Sequence, residues 1–402
     1  MSFPLNRSRL FTRTLRLCRL AWITGVFLCG GALHAAPRMI SYQYPNCVSC
    51  HFSPQGRGLL RPYGRGIDID QSLSDADMTG MLLGKILGGD YGDGNWGGNF
   101  GPVFADFIST TRFNHEFDTN KNDPAFAAIA RATVQFRARP ELRVSTEVGY
   151  RDTATHDVQL GPNLTSVGGD DFYLKKLAIE WRITSGSELV IGRDYLPLGL
   201  QIDDQTTYLL NLNRNGIYDY PLQVKYSQWT KKWLGSAYAY APSFDERVSE
   251  SREWGGGFMY EYYPADNLAI GVQGVGGSSD QADRGRVGAY TRWGISRKWT
   301  LLAEADYTRF WDVESPTQKD GNQLTAFLQL FYHHTPWLVS SVTGNYAHSD
   351  FFKVGDDLFS ARYTLSARIN RNLTVGFTGT AGDTRRNLRS GQEGTVFASI
   401  KF

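Results

Sequence analysis

From residue 99 to residue 402, apolar and polar side chains alternate with a period of two, in segment after segment. In 142–151, Leu142, Val144, Thr146, Val148 and Tyr150 take one face, and Arg143, Ser145, Glu147 and Arg151 the other. In 286–296, Val287, Ala289, Thr291, Trp293 and Ile295 alternate with Arg286, Gly288, Tyr290, Arg292 and Gly294, and 359–369 repeats the pattern. A helix would repeat every 3.6 residues, so these segments read as strands. Sixteen can be counted: 99–113, 125–138, 142–151, 172–184, 188–196, 216–229, 233–244, 253–263, 268–278, 285–296, 299–312, 322–334, 337–349, 357–369, 373–383 and 392–402. An apolar outside and a charged inside is what lipid around a wet lumen demands. A soluble sandwich would bury the apolar face instead.

The connections also alternate. Tight ones follow the even strands, among them Arg139-Pro140-Glu141, Thr230-Lys231-Lys232 and Asn370-Arg371-Asn372, while longer polar ones such as 152–171 and 197–215 follow the odd strands. Short turns at one mouth and long loops at the other are the habit of outer-membrane barrels. The expected fold is therefore all-β: a transmembrane antiparallel β-barrel of about 16 strands, 99–402. Abundant aromatics (10 Trp, 21 Tyr, 23 Phe) and 43 glycines suit many short strands. Aromatics near predicted strand ends, such as Tyr262, Trp311 and Trp337, fit either interfacial girdles or plain β-propensity.

The two ends carry addresses. Arg7, Arg9, Arg13, Arg16 and Arg19 form a basic region without an acid, Leu20 to Leu33 an apolar run, and His34-Ala35-Ala36 a small-residue stretch. Together they read as a signal peptide, 1–35, cleaved after Ala35. Removing its five arginines takes the whole-chain charge of +2 to about −3. Nothing in that balance suggests a nucleic-acid partner; the expected surroundings are outer-membrane lipid. At the far end, alternation closing on Phe402 resembles the sorting signal of bacterial outer-membrane barrels.

The sharpest chemical signal is Cys47-Val48-Ser49-Cys50-His51. Two thiols three apart can add to the two vinyl groups of one haem, and the adjacent histidine then reaches the iron from the same turn. Cys18 and Cys29 leave with the signal, so no second cysteine pair is left for a zinc site. The expectation is one covalent haem c on Cys47 and Cys50, with His51 as proximal iron ligand, in a segment 36–98. Ser74-Asp75-Ala76-Asp77 can cap a helix to about Leu87, which carries Met78 and Met81 on one face as candidate distal ligands. His333 is an alternative distal ligand, facing inward at the short-turn end of strand twelve, and Met39, His115 and Met259 are others. Residues 36–98 are too few for a cytochrome with its own thick apolar shell. Docking into the periplasmic mouth of the barrel would supply that shell, with Asp90 to Gly98 as a flexible link.

A signal peptide, a start like Ala36-Pro37-Arg38, one Cys-x-x-Cys-His and a sixteen-strand barrel in one chain resemble the fused monohaem cytochrome–porins, a family that includes outer-membrane iron(II)-oxidising cytochromes. His51, Pro54, Gly64 and Arg65 match its pattern behind the haem motif, whereas Gln55 to Leu59 depart from the iron-oxidising members. Ile191-Gly192-Arg193-Asp194 with Leu196-Pro197-Leu198-Gly199 resembles the start of the third, inward-folding loop of phosphate-selective-type porins. The resemblance implies electron transfer across the outer membrane, between an extracellular donor or acceptor (ferrous iron or a mineral) and a periplasmic electron-carrier cytochrome. In enzymatic terms that is an iron(II):cytochrome c oxidoreductase. A diffusion porin with a haem-bearing plug, or a haem sensor, are the alternatives.

Overall fold

The computed structural model describes residues 37–51, 53–55, 71–74, 103–116, 125–151, 172–200, 220–242, 253–280, 282–313, 320–350, 354–370, 372–383 and 390–401. The signal segment, residues 75–87 with Met78 and Met81, and the link 90–98 lie outside them. Sixteen strands follow in order: β1 Val103–Glu116, β2 Ala125–Arg139, β3 Leu142–Arg151, β4 Phe172–Thr184, β5 Ser187–Arg193, β6 Leu222–Trp229, β7 Trp233–Ala241 and β8 Trp254–Ala265. The second half comprises β9 Leu268–Ser278, β10 Asp283–Gly294, β11 Trp299–Trp311, β12 Gly321–His333, β13 Leu338–Ser349, β14 Val354–Arg368, β15 Leu373–Asp383 and β16 Ser390–Lys401. Every strand pairs antiparallel with its sequence neighbours, and β1 also pairs with β16, for example Ser109 with Ile400 and Asn114 with Thr395. The sheet is thus a closed barrel. Among the described residues no helix is long and apolar enough to cross a membrane.

Several of the short turns share one local device. A hydroxyl or amide oxygen at the turn's start accepts backbone N–H groups two or three residues on. Thr230 Oγ1 takes Lys232 N at 3.1 Å and Trp233 N at 3.2 Å, Thr335 Oγ1 takes Leu338 N at 3.0 Å, and Asn370 Oδ1 takes Asn372 N at 2.8 Å and Leu373 N at 2.7 Å. These side chains supply the acceptors that a reversing backbone lacks, which makes the turns tight and fixes the register behind them.

The two faces separate as the alternation requires. Val287 and Leu328 stand exposed on the outside, while Arg143, Glu147, Arg286 and Arg292 are buried inside. Trp254 and Trp311 ring the long-loop end on the outside, and Trp299, Tyr262 and Trp181 the short-turn end, with Val272, Leu324, Leu328 and Val342 between them. Aromatic rings at two levels with aliphatic side chains between is the arrangement a bilayer imposes.

Two expectations need correction. The fifth strand ends at Arg193 rather than residue 196, and the sixth begins at Leu222 rather than 216. Gly192 has φ of 133°, and a Cβ there would lie 2.3 Å from the Leu177 carbonyl oxygen, so only glycine suits this position, one residue before the strand ends and the chain turns into the lumen. The lumen is also not uniformly polar. Six successive strands, β7 to β12, each contribute inward apolar residues: Leu234, Met259 and Tyr263, Ala269, Tyr290, Leu302, and Phe327.

Adjacent residues on opposite faces give a direct check. Arginine at Leu328, outside and near mid-strand, is expected to destabilise the barrel by about 2–4 kcal/mol in lipid vesicles. Arginine at Gln329, inside and hydrogen-bonded to Thr343 Oγ1 at 3.0 Å, should cost only about 1 kcal/mol. Denaturant unfolding from vesicles measures both; equal costs would contradict the facing assigned here.

Candidate functional site

The N-terminal residues lie inside the barrel, at the end with the short turns. Pro37–Tyr42 form a 3-10 turn that sets Ile40, fully buried, among Leu234, Met259, Tyr263, Ala269, Tyr290, Leu302 and Phe327. Gln43, at φ of 69°, ends that turn with its N–H on the Ile40 carbonyl at 3.1 Å. The close fit on the wall depends on Gly294. A Cβ there would meet Ser41 Cα at 2.5 Å and the Ile40 carbonyl oxygen at 2.8 Å.

A second 3-10 turn, Cys47–Ser49, carries the motif. The Cys47 carbonyl accepts Cys50 N at 3.2 Å and His51 N at 2.9 Å, so one turn brings both cysteines and the histidine together. The cysteines are thiols, not a disulfide, and His51 is buried. Arg292, buried on β10, grips the loop. Its Nη2 donates to the Pro45 carbonyl at 2.8 Å and to Glu261 Oε1 at 2.5 Å, and its Nη1 lies 3.7 Å from Cys47 Sγ. Burial pushes the Cys47 thiol up from its ordinary value, while the Arg292 guanidinium pulls the other way.

Behind the motif, Gln55 Nε2 donates to Ser236 Oγ at 2.9 Å and Ser227 Oγ at 3.1 Å, on β7 and β6. Ser53 Oγ hydrogen-bonds Tyr195 OH. Further on, Leu73 N and Ser74 N donate to the carbonyls of Arg368 and Ile369, each at 3.0 Å, beside the β14–β15 turn. Residues 45–51 and 53–55 therefore lie along the inner wall, from Arg292 on β10 to Ser227 on β6.

The segment 194–200 meets them from the other side, so the inward fold suggested by the porin-like stretch is present. Asp194 is held by Lys225 Nζ at 2.8 Å and Lys176 Nζ at 3.3 Å. Leu196 and Leu198 pack on Tyr238, Tyr240 and Val275, and Leu200 joins the cluster around Ile40. Leu200 N donates to Glu304 Oε2 at 2.6 Å.

Of the candidate distal ligands, His333 lies at this end of the lumen, buried, with its ring edge-on to Tyr42 at 5.8 Å and Nε2 3.3 Å from Thr300 Oγ1. Met259 is in the apolar cluster, and Met39 Sδ accepts Gln71 Nε2 at 3.2 Å. His115 sits at the opposite, long-loop end of β1, a strand's length away, which removes it as a partner for His51. Met78 and Met81 lie outside the described residues. Nothing in the sequence marks Arg292 as the partner of Cys47, Glu261 as the residue behind it, or Ser227 and Ser236 as the partners of Gln55. Inward arginines, glutamates and serines are ordinary barrel lining until the register shows what they touch.

Chemically, the site offers two thiols on one turn, a buried imidazole next to them and a dry apolar wall. These residues fit a covalently attached haem. Among the described residues no group of three or more His, Cys, Asp or Glu side chains is placed to hold a bare metal ion.

Replacing Gly294 with valine should push the 37–42 turn off the wall, because the strand backbone is pinned by reciprocal bonds with Asn267, each 2.8 Å. The expected loss is about 1–3 kcal/mol of docking. Limited proteolysis within 37–55 should then speed up at least about fivefold, with heat-modifiable barrel mobility unchanged. Unaltered cleavage would show that the wall does not hold the segment.

No protein-family model matches the chain, and no curated protein matches it in sequence. Solved structures do match in fold. The outer-membrane channel DcaP of Acinetobacter baumannii shares 11% identity over 75% of this chain and 97% of its own, with a TM-score of 0.53. OmpF of Salmonella typhi, solved in complex with daunomycin, shares 12% over 75% and 97%, at 0.53. OprB of Pseudomonas putida shares 8% over 74% and 93%, at 0.54. At these identities the likeness establishes architecture, and this chain has the β-barrel fold of the outer-membrane porins.

Proposed function

We propose that this protein is a one-haem electron conduit of the outer membrane, similar to the fused cytochrome–porins, and that its signal peptide exports it there. Cys47 and Cys50 bond the haem, and His51 is the proximal ligand. The observation that carries the reading is the position of the Cys47–His51 turn, held on the inner wall of the barrel by Arg292 and following directly on the turn that seats Ile40 in the apolar cluster of β7 to β12. A bound haem supplies reversible one-electron exchange. The chain does the rest. The two cysteines would tether the group covalently, and His51 would supply an iron ligand. The cluster around Ile40 excludes water and lowers the local dielectric. The barrel wall keeps the site out of lipid.

An extracellular donor or acceptor, such as ferrous iron or an iron mineral, would exchange electrons from the long-loop side, and a periplasmic cytochrome from the short-turn side. Run inward from ferrous iron, the protein acts as an iron(II):cytochrome c oxidoreductase. Met78, Met81 and His333 are the distal ligands to test. His333 is supported by its burial next to Tyr42. The fold shared with DcaP favours a second reading, a diffusion porin with a haem-bearing plug.

One measurement tests the haem and a second separates these readings. Cys47→Ala with Cys50→Ala should abolish covalent haem on a haem-stained denaturing gel, while the barrel still assembles; full stain in the double variant would end the haem assignment. In planar bilayers the wild-type conduit should be nearly non-conducting, whereas a porin would give steady open-channel current. Oxidised protein with a sulfur-to-iron charge-transfer band would select a methionine, and loss of that band in Met78→Ala or Met81→Ala would identify it. Bis-histidine magnetic resonance would select His333.

A further inference from the structure

Among the buried ion pairs of the lumen, one also touches the haem-motif loop. Arg292 and Glu261 face each other at 2.5 Å inside the lumen, and both lie at the same point of the N-terminal segment. Other buried pairs, such as Lys175 with Glu147 at 3.0 Å and Arg284 with Glu253 at 2.7 Å, join residues of the barrel wall to each other. This pair reaches off the wall. The guanidinium spans three groups at once: the Glu261 carboxylate, the Pro45 carbonyl at 2.8 Å and the Cys47 sulfur at 3.7 Å. A planar fork with several donors can do this, and an ammonium cannot match it.

We propose that Arg292 and Glu261 are positioning residues that hold the Cys47 loop and set the electrostatic field at the bonded edge of the haem. The proposal rests on the haem assignment made above. A porphyrin bonded to Cys47 Sγ would be anchored 3.7 Å from the guanidinium, whose other charged partner is the Glu261 carboxylate. Oxidised haem carries one positive charge more than reduced haem. In a site this dry, charge effects are weakly screened. Arg292 therefore favours the reduced form and raises the midpoint potential, and Glu261 opposes it. The pair sets a value between the two extremes, as outer-shell groups commonly do for a metal centre.

The two members of the pair should act with opposite sign, which a merely mechanical strap would not produce. Arg292→Gln should lower the midpoint potential and Glu261→Gln should raise it, in spectroelectrochemical titrations of purified full-length protein. The step from Glu261→Gln to the double variant removes the guanidinium with no carboxylate left to respond, and it should lower the potential again. Arg292→Lys keeps the charge but not the three-way grip. It should stay near the wild-type potential while proteolysis within 37–55 speeds up. Barrel assembly of each variant is checked by heat-modifiable mobility. Shifts of the same sign in both single variants, or no fall on going to the double variant, would overturn the proposal while leaving the haem assignment intact. Wild-type protein without covalent haem would overturn both.

Discussion

A strand in lipid has no water to satisfy its backbone, so the pairing of β1 with β16 is the interaction on which the remaining structure depends. From Ile108–Lys401 to Glu116–Glu393 it converts an open sheet with two raw edges into a closed wall in which both edge strands find partners. Closure fixes the alternation, because a slip of one residue would exchange every lipid-facing side chain with a lumen-facing one. It also fixes the circumference, and with it a lumen that must be filled by water, by side chains or by chain from elsewhere.

The two halves of the wall answer that requirement differently. On β3 to β6, charged residues neutralise one another in a continuous set: Arg143 with Glu180 and Glu188, Lys176 with Glu180 and Asp194, and Lys225 with Asp194. Charges this buried persist because each has a partner. On β7 to β12, the inward belt from Leu234 to Phe327 has no such solution and needs apolar cover. Ile40 and Leu200 supply it, one from each side. The bond between Ser53 and Tyr195 then joins the covering pieces to each other. The N-terminal segment and the inward loop are thus parts of one filling rather than two separate insertions.

Much of the fold was legible in the sequence because period-two alternation and turn chemistry are local. Thr230, Thr335 and Asn370 cap their turns within three residues, and the strand limits they set fall within a residue or two of those read from the pattern. The end of β5 was not legible. There Gly192 and Arg193 still alternate and still pair with β4 and β6, and only the positive φ of Gly192 marks the bend that follows. The Cys47–His51 motif was legible for the same reason as the turns, since its chemistry needs five consecutive residues. Its partners were not. Arg292 is 245 residues from Cys47, and nothing in a list of inward arginines distinguishes the one that reaches the loop.

What could have pointed to the site is the failure of the two-face rule. An inward position in a water-filled barrel should be polar, yet Met259, Leu302 and Phe327 occupy inward positions on three different strands. Each alone looks like noise in the alternation. Placed in register around the wall, they form one apolar patch, and an apolar patch inside a barrel is stable only if something dry lies against it. A diffusion channel has no use for such a patch, because it would narrow the water path and leave apolar surface wet. A conduit that must keep an electron-carrying group away from bulk water needs it. The same sixteen strands can serve either purpose, and the conduit proposed above would use the inward residues of β7 to β12 in the second way.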